Sequence, residues 1–244
     1  LDCNNASNFI EILQIIDRDL SLGISEGNPI PVPKTFKEPD SPVHVSVERT
    51  GRPYTFKEKK FTVPELDYWK QYSIIPEILE QYKVCSVVQF QSENSEGNPF
   101  SYSSTAEEPI YGYKNKRFIK LYRPFSKTRF LYGGNIGENY CFGLEQLPSK
   151  GDTLFITGGE KDVMSLAAKG FHAICFNSET VTVPPNIIYK LTFRFKHIIL
   201  LYDMDETGIE SAKKHEKLLC EYGVKRLSLP LQGTKSEKDI SDYF

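Results

Sequence analysis

Asp203 and Asp205 stand two apart at the end of an apolar run, His197 to Tyr202. Alternate residues of an extended chain share a face, so both carboxylates can point the same way. Like charges held that close are costly unless a cation neutralises them. Hard oxygen ligands that leave room for water and phosphate suit magnesium. Glu160 and Asp162 follow a second apolar run, Thr153 to Thr157, across Gly158-Gly159, and Asp239 and Asp242 lie in a third acidic turn, Lys238 to Tyr243. This pattern predicts a divalent-cation site that handles phosphates. Asp-x-Asp after a strand also serves as a turn or helix cap, but acids gathered at three element ends favour the metal.

A second group is basic. Lys114, Lys116, Arg117, Lys120, Arg123, Lys127 and Arg129 occur with no acid between Tyr111 and Phe130, interleaved with Tyr111, Tyr113, Phe118, Tyr122 and Phe125. Strand alternation sets Lys116, Phe118, Lys120 and Tyr122 on one face and Arg117, Ile119, Leu121 and Arg123 on the other. Such a face suits a phosphate backbone and unstacked bases. A solvated edge strand guarded by lysines has the same composition, and charge alone does not separate the two. Trp69, the one tryptophan, reads as core packing. His172, His197 and His215 have no partners at ligand spacing and read as core or surface residues.

The elements that must position these groups follow from periodicity. Thr153–Thr157, His172–Phe176 and His197–Tyr202 are continuous apolar runs, and Val163, Leu166 and Ala167 have helical spacing before Gly170. Alternating runs and helices predict a parallel sheet covered on both faces, with chemistry beyond the strands' carboxyl ends. Glu206 to Glu221 reads as a helix and Val224 to Leu229 as the last strand. Upstream, Pro64–Tyr72 and Pro76–Tyr82 read as helices with proline at the start. Val84–Phe90, Ile110–Tyr113, Phe118–Arg123 and Phe130–Tyr132 read as short strands, with a polar loop over Ser92 to Pro99. Phe9 to Ile16 reads as an amphipathic helix, residues 24–42 as a proline-bearing linker, and Val43 to Val47 as a short alternating run.

The divisions are therefore 1–42, N-terminal helix and linker; 43–149, a smaller basic α+β subdomain; and 150–244, the α/β domain. At 244 residues and 39% apolar the chain can bury one large or two modest cores, and a net charge of −2 leaves nucleic-acid binding to local patches. Five scattered cysteines with no CxxC pair predict reduced thiols in a cytoplasmic setting, without a zinc ribbon or disulfide framework. No apolar run is long enough to span a bilayer, so no membrane partner is expected. The start at Leu1 and the abrupt last motif read as a piece of a longer protein.

The order strand, acidic small-residue turn, helix, strand, strand ending Asp-x-Asp, helix, strand, Lys-Asp-x-x-Asp resembles the Toprim domain, a Rossmann-like parallel-sheet fold. Phe118 to Pro124, Phe142 to Pro148 and Lys238 to Tyr243 look most like DnaG-type bacterial and phage primases, closest to the primase half of primase-helicases. The resemblance implies an RNA-polymerase core that condenses nucleoside triphosphates on single-stranded DNA during replication, with a replicative helicase as a further implied partner. It implies Mg2+ or Mn2+ as cofactor, with Asp203, Asp205 and Asp239 as ligands and Glu160 and Asp162 as catalytic acids. Lys161 and Lys238 join the basic stretch as implied nucleotide- or nucleic-acid-binding residues. Magnesium would position and neutralise the oxygens of an in-line phosphoryl transfer.

One position departs from that family. Its first motif is Glu-Gly-x-x-Asp, whereas here Gly158-Gly159-Glu160-Lys161-Asp162 puts glycine where the glutamate is expected. Glu160, two positions on, is one substitute, since glycines let the turn deform. Two readings are carried forward: an active primase core, and a weakened nucleic-acid-binding Toprim module of a phage or mobile-element replication protein. A Toprim nuclease uses the same acids. A haloacid-dehalogenase-like phosphatase fits Asp203 to Thr207 as Asp-x-Asp-x-Thr, but that family needs a longer downstream stretch.

Overall fold

The computed structural model describes residues 51–137, 140–234 and 237–244. The helix expected at Phe9–Ile16, the linker and the Val43–Val47 run lie outside them.

An antiparallel sheet is built from β1 (Tyr54–Lys59), β2 (Val84–Glu93), β3 (Pro99–Ser103), β4 (Tyr111–Lys114), β5 (Phe118–Tyr122) and β6 (Phe130–Gly134). Its order is β1-β2-β4-β5-β6, with β3 pairing the far end of β2. Between β1 and β2 lie α1 (Val63–Lys70) and α2 (Pro76–Gln81), each with proline in its first turn. Thr62 and Glu65 form a capping box for α1, which satisfies amides that a helix start leaves orphaned. β1 and β3 were not expected. In β3, Phe100 and Tyr102 alternate with serines over only five residues, a pattern easily taken for a polar loop.

The apolar runs downstream become a four-stranded sheet of order β10-β9-β7-β8, all parallel. Its strands are β7 (Gly151–Thr157), β8 (His172–Cys175), β9 (Phe195–Leu201) and a two-residue β10 (Lys225–Arg226). The connections are α3 (Glu160–Ala168), α4 (Pro185–Thr192) and α5 (Glu206–Leu218), and the chain closes with α6 (Ile240–Tyr243). The parallel α/β domain with an α+β companion is therefore as the sequence predicts, and the structure adds that the companion's sheet is antiparallel. α4 was not expected, because Pro184-Pro185 interrupts the pattern just where proline also starts a helix. The final strand is shorter than Val224–Leu229, as only Lys225 and Arg226 pair with β9.

Both faces of the parallel sheet are covered. Leu154, Ile156 and Leu200 pack with Ile188 and Leu191 of α4 and Ala212 of α5. On the other face Val163, Met164 and Leu166 of α3 join Trp69, Ile74, Leu79, Tyr111 and Tyr122 in one cluster. The two sheets thus share a core, and Trp69 is fully buried at its centre. Burying so much aromatic and aliphatic surface at about 25 cal/mol per Å² fixes the antiparallel sheet against the parallel one. Side chains of β4, β5 and β6 are left facing the carboxyl ends of the parallel strands across a cleft.

Candidate active site

Register sets the floor of that cleft. Thr157 pairs with both Cys175 of β8 and Leu201 of β9, so the residues just past these three strand tips are neighbours. Asp203 lies two residues past β9. Asp162 stands in the first turn of α3, and Asp239 caps α6. Asp162, Asp203 and Asp239 each offer a carboxylate oxygen, and these atoms lie within 4.8 Å of one another. Asp162 is 5% exposed, and its Oδ1 has no hydrogen-bond partner among the described residues. A buried charged oxygen left unpaired is expensive. Burial, and then the charge of Asp239, push the Asp162 carboxyl well above the usual range. Burial also raises Asp203, against the pull of Lys238.

This donor set fits a hard cation. It offers oxygens only, from three separate elements, one of them unsatisfied, which suits magnesium or manganese rather than zinc with its nitrogen and sulfur ligands. Two lysines neutralise the rim. Lys238 Nζ lies 2.5 Å from Asp203 Oδ2 and 2.8 Å from Asp205 Oδ2. Lys161 Nζ lies 3.3 Å from Asp239 Oδ2 and 4.1 Å from the centre of the Tyr72 ring. Neither makes an ion pair with Asp162 among the described residues.

The Asp-x-Asp pair divides its work. Asp203 joins the acidic cluster, whereas Asp205 is the N-cap of α5, its Oδ1 accepting from the Gly208 amide at 3.0 Å. Lys238 takes its other oxygen, so Asp205 stands outside the cluster. A Cβ on Gly208 would sit 2.2 Å from the Asp203 carbonyl oxygen; glycine is needed for the turn to close this tightly.

Glu160 is placed differently from the expectation that it stands in for the missing acid. It is 2% exposed, and its Oε1 accepts from Lys120 Nζ at 2.7 Å and from the Tyr140 hydroxyl at 2.6 Å. Lys120 also donates to the Asn177 carbonyl at 3.1 Å. Burial pushes the Lys120 ammonium down, but the Glu160 charge outweighs it and holds the group above its ordinary value. Glu160 is a partner inside a sealed ion pair and is not in the acidic cluster.

The basic stretch does not form one solvated ribbon. β5 lies between β4 and β6, so it is not an edge, and its residues are all buried. Ile119 and Leu121 fill a separate core with Val87 and Phe90, while Lys120 and Tyr122 line a cleft of about 410 Å³ with Arg129, Phe130 and Tyr132. Lys161 and Lys238 line its acidic side. Lys114 instead pairs with Glu58 at 3.0 Å, and Arg123 with Glu108 at 3.4 Å over the Tyr102 ring. Lys116, Arg117 and Lys127 are exposed and do not line this cleft. Arg129 donates to the Tyr122 hydroxyl at 3.1 Å, and no carboxylate pairs with it among the described residues.

Glu179, in the loop after β8, is a site residue that motif reading overlooked. Its carboxylate lies beside Asp203 at the cleft floor; burial, and then the charges of Asp203 and Asp205, push it up to about 7. The available signal was its place beyond a parallel strand's carboxyl end, the same rule that selects Asp203.

Residues 155–244, a little over a third of the chain, match the family model described as Toprim-like, and this segment has the Toprim fold with its parallel sheet. No curated protein matches the chain. Among solved structures, the chain is similar to the Aquifex aeolicus primase (zinc-binding and RNA polymerase domains), at 16% identity and TM-score 0.52 over 75% of this chain and 52% of that one. It is similar to a DNA primase domain from Pseudomonas aeruginosa, at 16% identity and TM-score 0.53 over 73% of this chain and 66% of that one. A DnaG primase catalytic domain bound to single-stranded DNA matches at 16% identity and TM-score 0.53, over 75% of this chain and 67% of that one. The chain thus spans 52 to 67% of the length of these structures. The likeness is one of fold: that of the DnaG-type primase core.

Proposed function

We propose that this chain is the core of a DNA primase, joining ribonucleotides on a single-stranded DNA template with magnesium or manganese. The observation that carries the reading is the convergence of Asp162, Asp203 and Asp239, with the unpaired Asp162 oxygen among them, on a cleft whose opposite wall is basic and aromatic. A bound cation would neutralise the phosphate oxygens of an incoming nucleotide and hold them for in-line transfer.

The chain's own residues do the rest. Lys161 and Lys238 stand at the acids' rim, where incoming phosphates would meet ammonium groups as well as the cation. Arg129 offers a guanidinium with no acidic partner among the described residues, suited to a phosphate of template or nucleotide. Phe130 and Tyr132 are 37% and 38% exposed and present ring surface to the cleft, a platform for an unstacked base. Lys120 lies 4.7 Å from the Phe130 ring centre while holding Glu160, so it orders the platform from beneath.

A replicative helicase partner rests on the resemblance alone. No helix among the described residues is long and apolar enough to cross a membrane, and a cytoplasmic setting follows from the replicative reading. The test is primer synthesis from nucleoside triphosphates on single-stranded DNA in Mg2+ and in Mn2+, using the chain and Asp203→Asn. Product that vanishes in the variant supports the primase. Single-stranded DNA binding with no product in either metal overturns it in favour of the weakened binding module, which Gly158 and the sealed Glu160 favour.

A further inference from the structure

Position 158 is where the resemblance expects an acid and the chain has glycine. A Cβ built on Gly158 would lie 3.1 Å from Asp203 Oδ1 and 3.2 Å from Glu179 Oε2, so the space beside this residue is filled by two carboxylates from neighbouring strand ends. That Glu179 oxygen is buried and has no hydrogen-bond partner among the described residues. Glu179 lies four residues beyond Cys175, whose strand pairs directly with the one ending at Thr157, so the β8 loop reaches the tip of β7. A second buried oxygen without a partner, Asp162 Oδ1, belongs to the cluster of Asp162, Asp203 and Asp239, which Glu179 adjoins through Asp203 at Gly158.

We propose that Glu179 is a cation ligand of this site, supplying from the loop after β8 the carboxylate that position 158 lacks. The geometry explains the glycine as well as the glutamate. A longer side chain at 158 would occupy the space that Glu179 and Asp203 already share, so the two positions are alternatives: one acid entering from β7, or one entering from β8. Glu160, held by Lys120 and Tyr140, is not that acid. The inference rests on the cation-site reading above but does not require that the chain synthesise primers.

The experiment is a Mn2+ titration of the whole chain without nucleotide or DNA, followed by electron paramagnetic resonance of the free ion, with folding checked by circular dichroism. Glu179→Gln is expected to weaken binding by about tenfold or more, at least the loss that removing a supporting group brings. Gly158→Glu alone crowds two carboxylates and is expected to bind no better than wild type. The swap Gly158→Glu with Glu179→Gly is expected to return affinity to within about threefold of wild type, a non-additive result that marks a shared space. Unchanged affinity in Glu179→Gln, or a swap that folds and binds no better than Glu179→Gln, overturns the assignment while leaving the cation site standing. A wild-type chain that binds no Mn2+ overturns both.

Discussion

Replacing Glu160 by glutamine separates a structural role from a catalytic one. The substitution keeps the shape and removes the charge opposite Lys120, an ammonium 2% exposed and 2.7 Å from the carboxylate. Removing one member of a buried pair leaves the other charge uncompensated, at a cost of about 3–5 kcal/mol. That is a large share of the roughly 5–15 kcal/mol by which a domain is stable. For a chain of this size about 2–4 °C of Tm accompanies each kcal/mol, so the fall is about 6–20 °C. Tyr140 adds to the loss, because its hydroxyl donates to the same oxygen at 2.6 Å. Adding Lys120→Met to Glu160→Gln removes the stranded charge and is expected to recover most of the loss, a coupling well above the roughly 0.5 kcal/mol scatter of independent sites. The assay is thermal and urea unfolding of the two single variants and the double variant, with Mn2+ affinity measured well below each midpoint. A Glu160→Gln chain that melts with wild type yet loses Mn2+ by tenfold or more would refute this reasoning and make Glu160 a ligand.

Gly208→Ala forces a methyl to within 2.2 Å of the Asp203 carbonyl; overpacking of this kind costs about 1–3 kcal/mol, and Mn2+ titration should show weakened binding as Asp203 moves. Arg129→Gln should weaken single-stranded DNA binding across all sequences and flatten its log–log salt dependence by about 0.7, read by fluorescence anisotropy; an unchanged slope would remove Arg129 from the phosphate path. Burial, and then Lys214, lower His215 from its ordinary 6.5, while Tyr202 meets its Nδ1 at 3.0 Å. The unfolded chain therefore takes a proton that the folded chain refuses, so this stability is full above pH 6.5 and is lost as pH falls toward the lower folded value, by at most about 1.4 kcal/mol per pH unit. His215→Gln should remove that part of the slope in urea melts between pH 7.5 and 5.5, two points chosen to flank the free histidine value of about 6.5.

The parallel sheet was legible because burial on both faces leaves unbroken apolar runs, and the acids at its tips were legible because each follows such a run. Placing Asp203 near Asp162 needed only the rule that sites form beyond the strands' carboxyl ends, whereas Asp239, the cap of α6, follows no strand and was expected at the site only through the resemblance. The division of labour between Asp203 and Asp205 was legible only in part: Asp205 directly precedes the helix read from Glu206, where a capping aspartate belongs. That Lys238, from a distant segment, takes its other oxygen while Gly208 packs on the Asp203 carbonyl was not legible. The basic stretch misled for a related reason. A charge count weighs Lys116 and Lys120 alike, but β5 is sandwiched between two strands and over the core, so Lys120 is sealed against Glu160 while Lys116 is left in solvent.

Glu179 shows what a motif cannot carry. A motif fixes spacing along one strand and its turn, whereas the position an acid occupies in a cleft is set by which strands are neighbours and in what register. Because Thr157 pairs with Cys175 on one side and Leu201 on the other, three chain segments open onto one small volume beside Gly158. A carboxylate can enter it from any of them, and glycine at 158 clears the way for the β8 loop. The loss of an acid from the first motif is therefore not by itself the loss of an acid from the site, and only the register distinguishes the two.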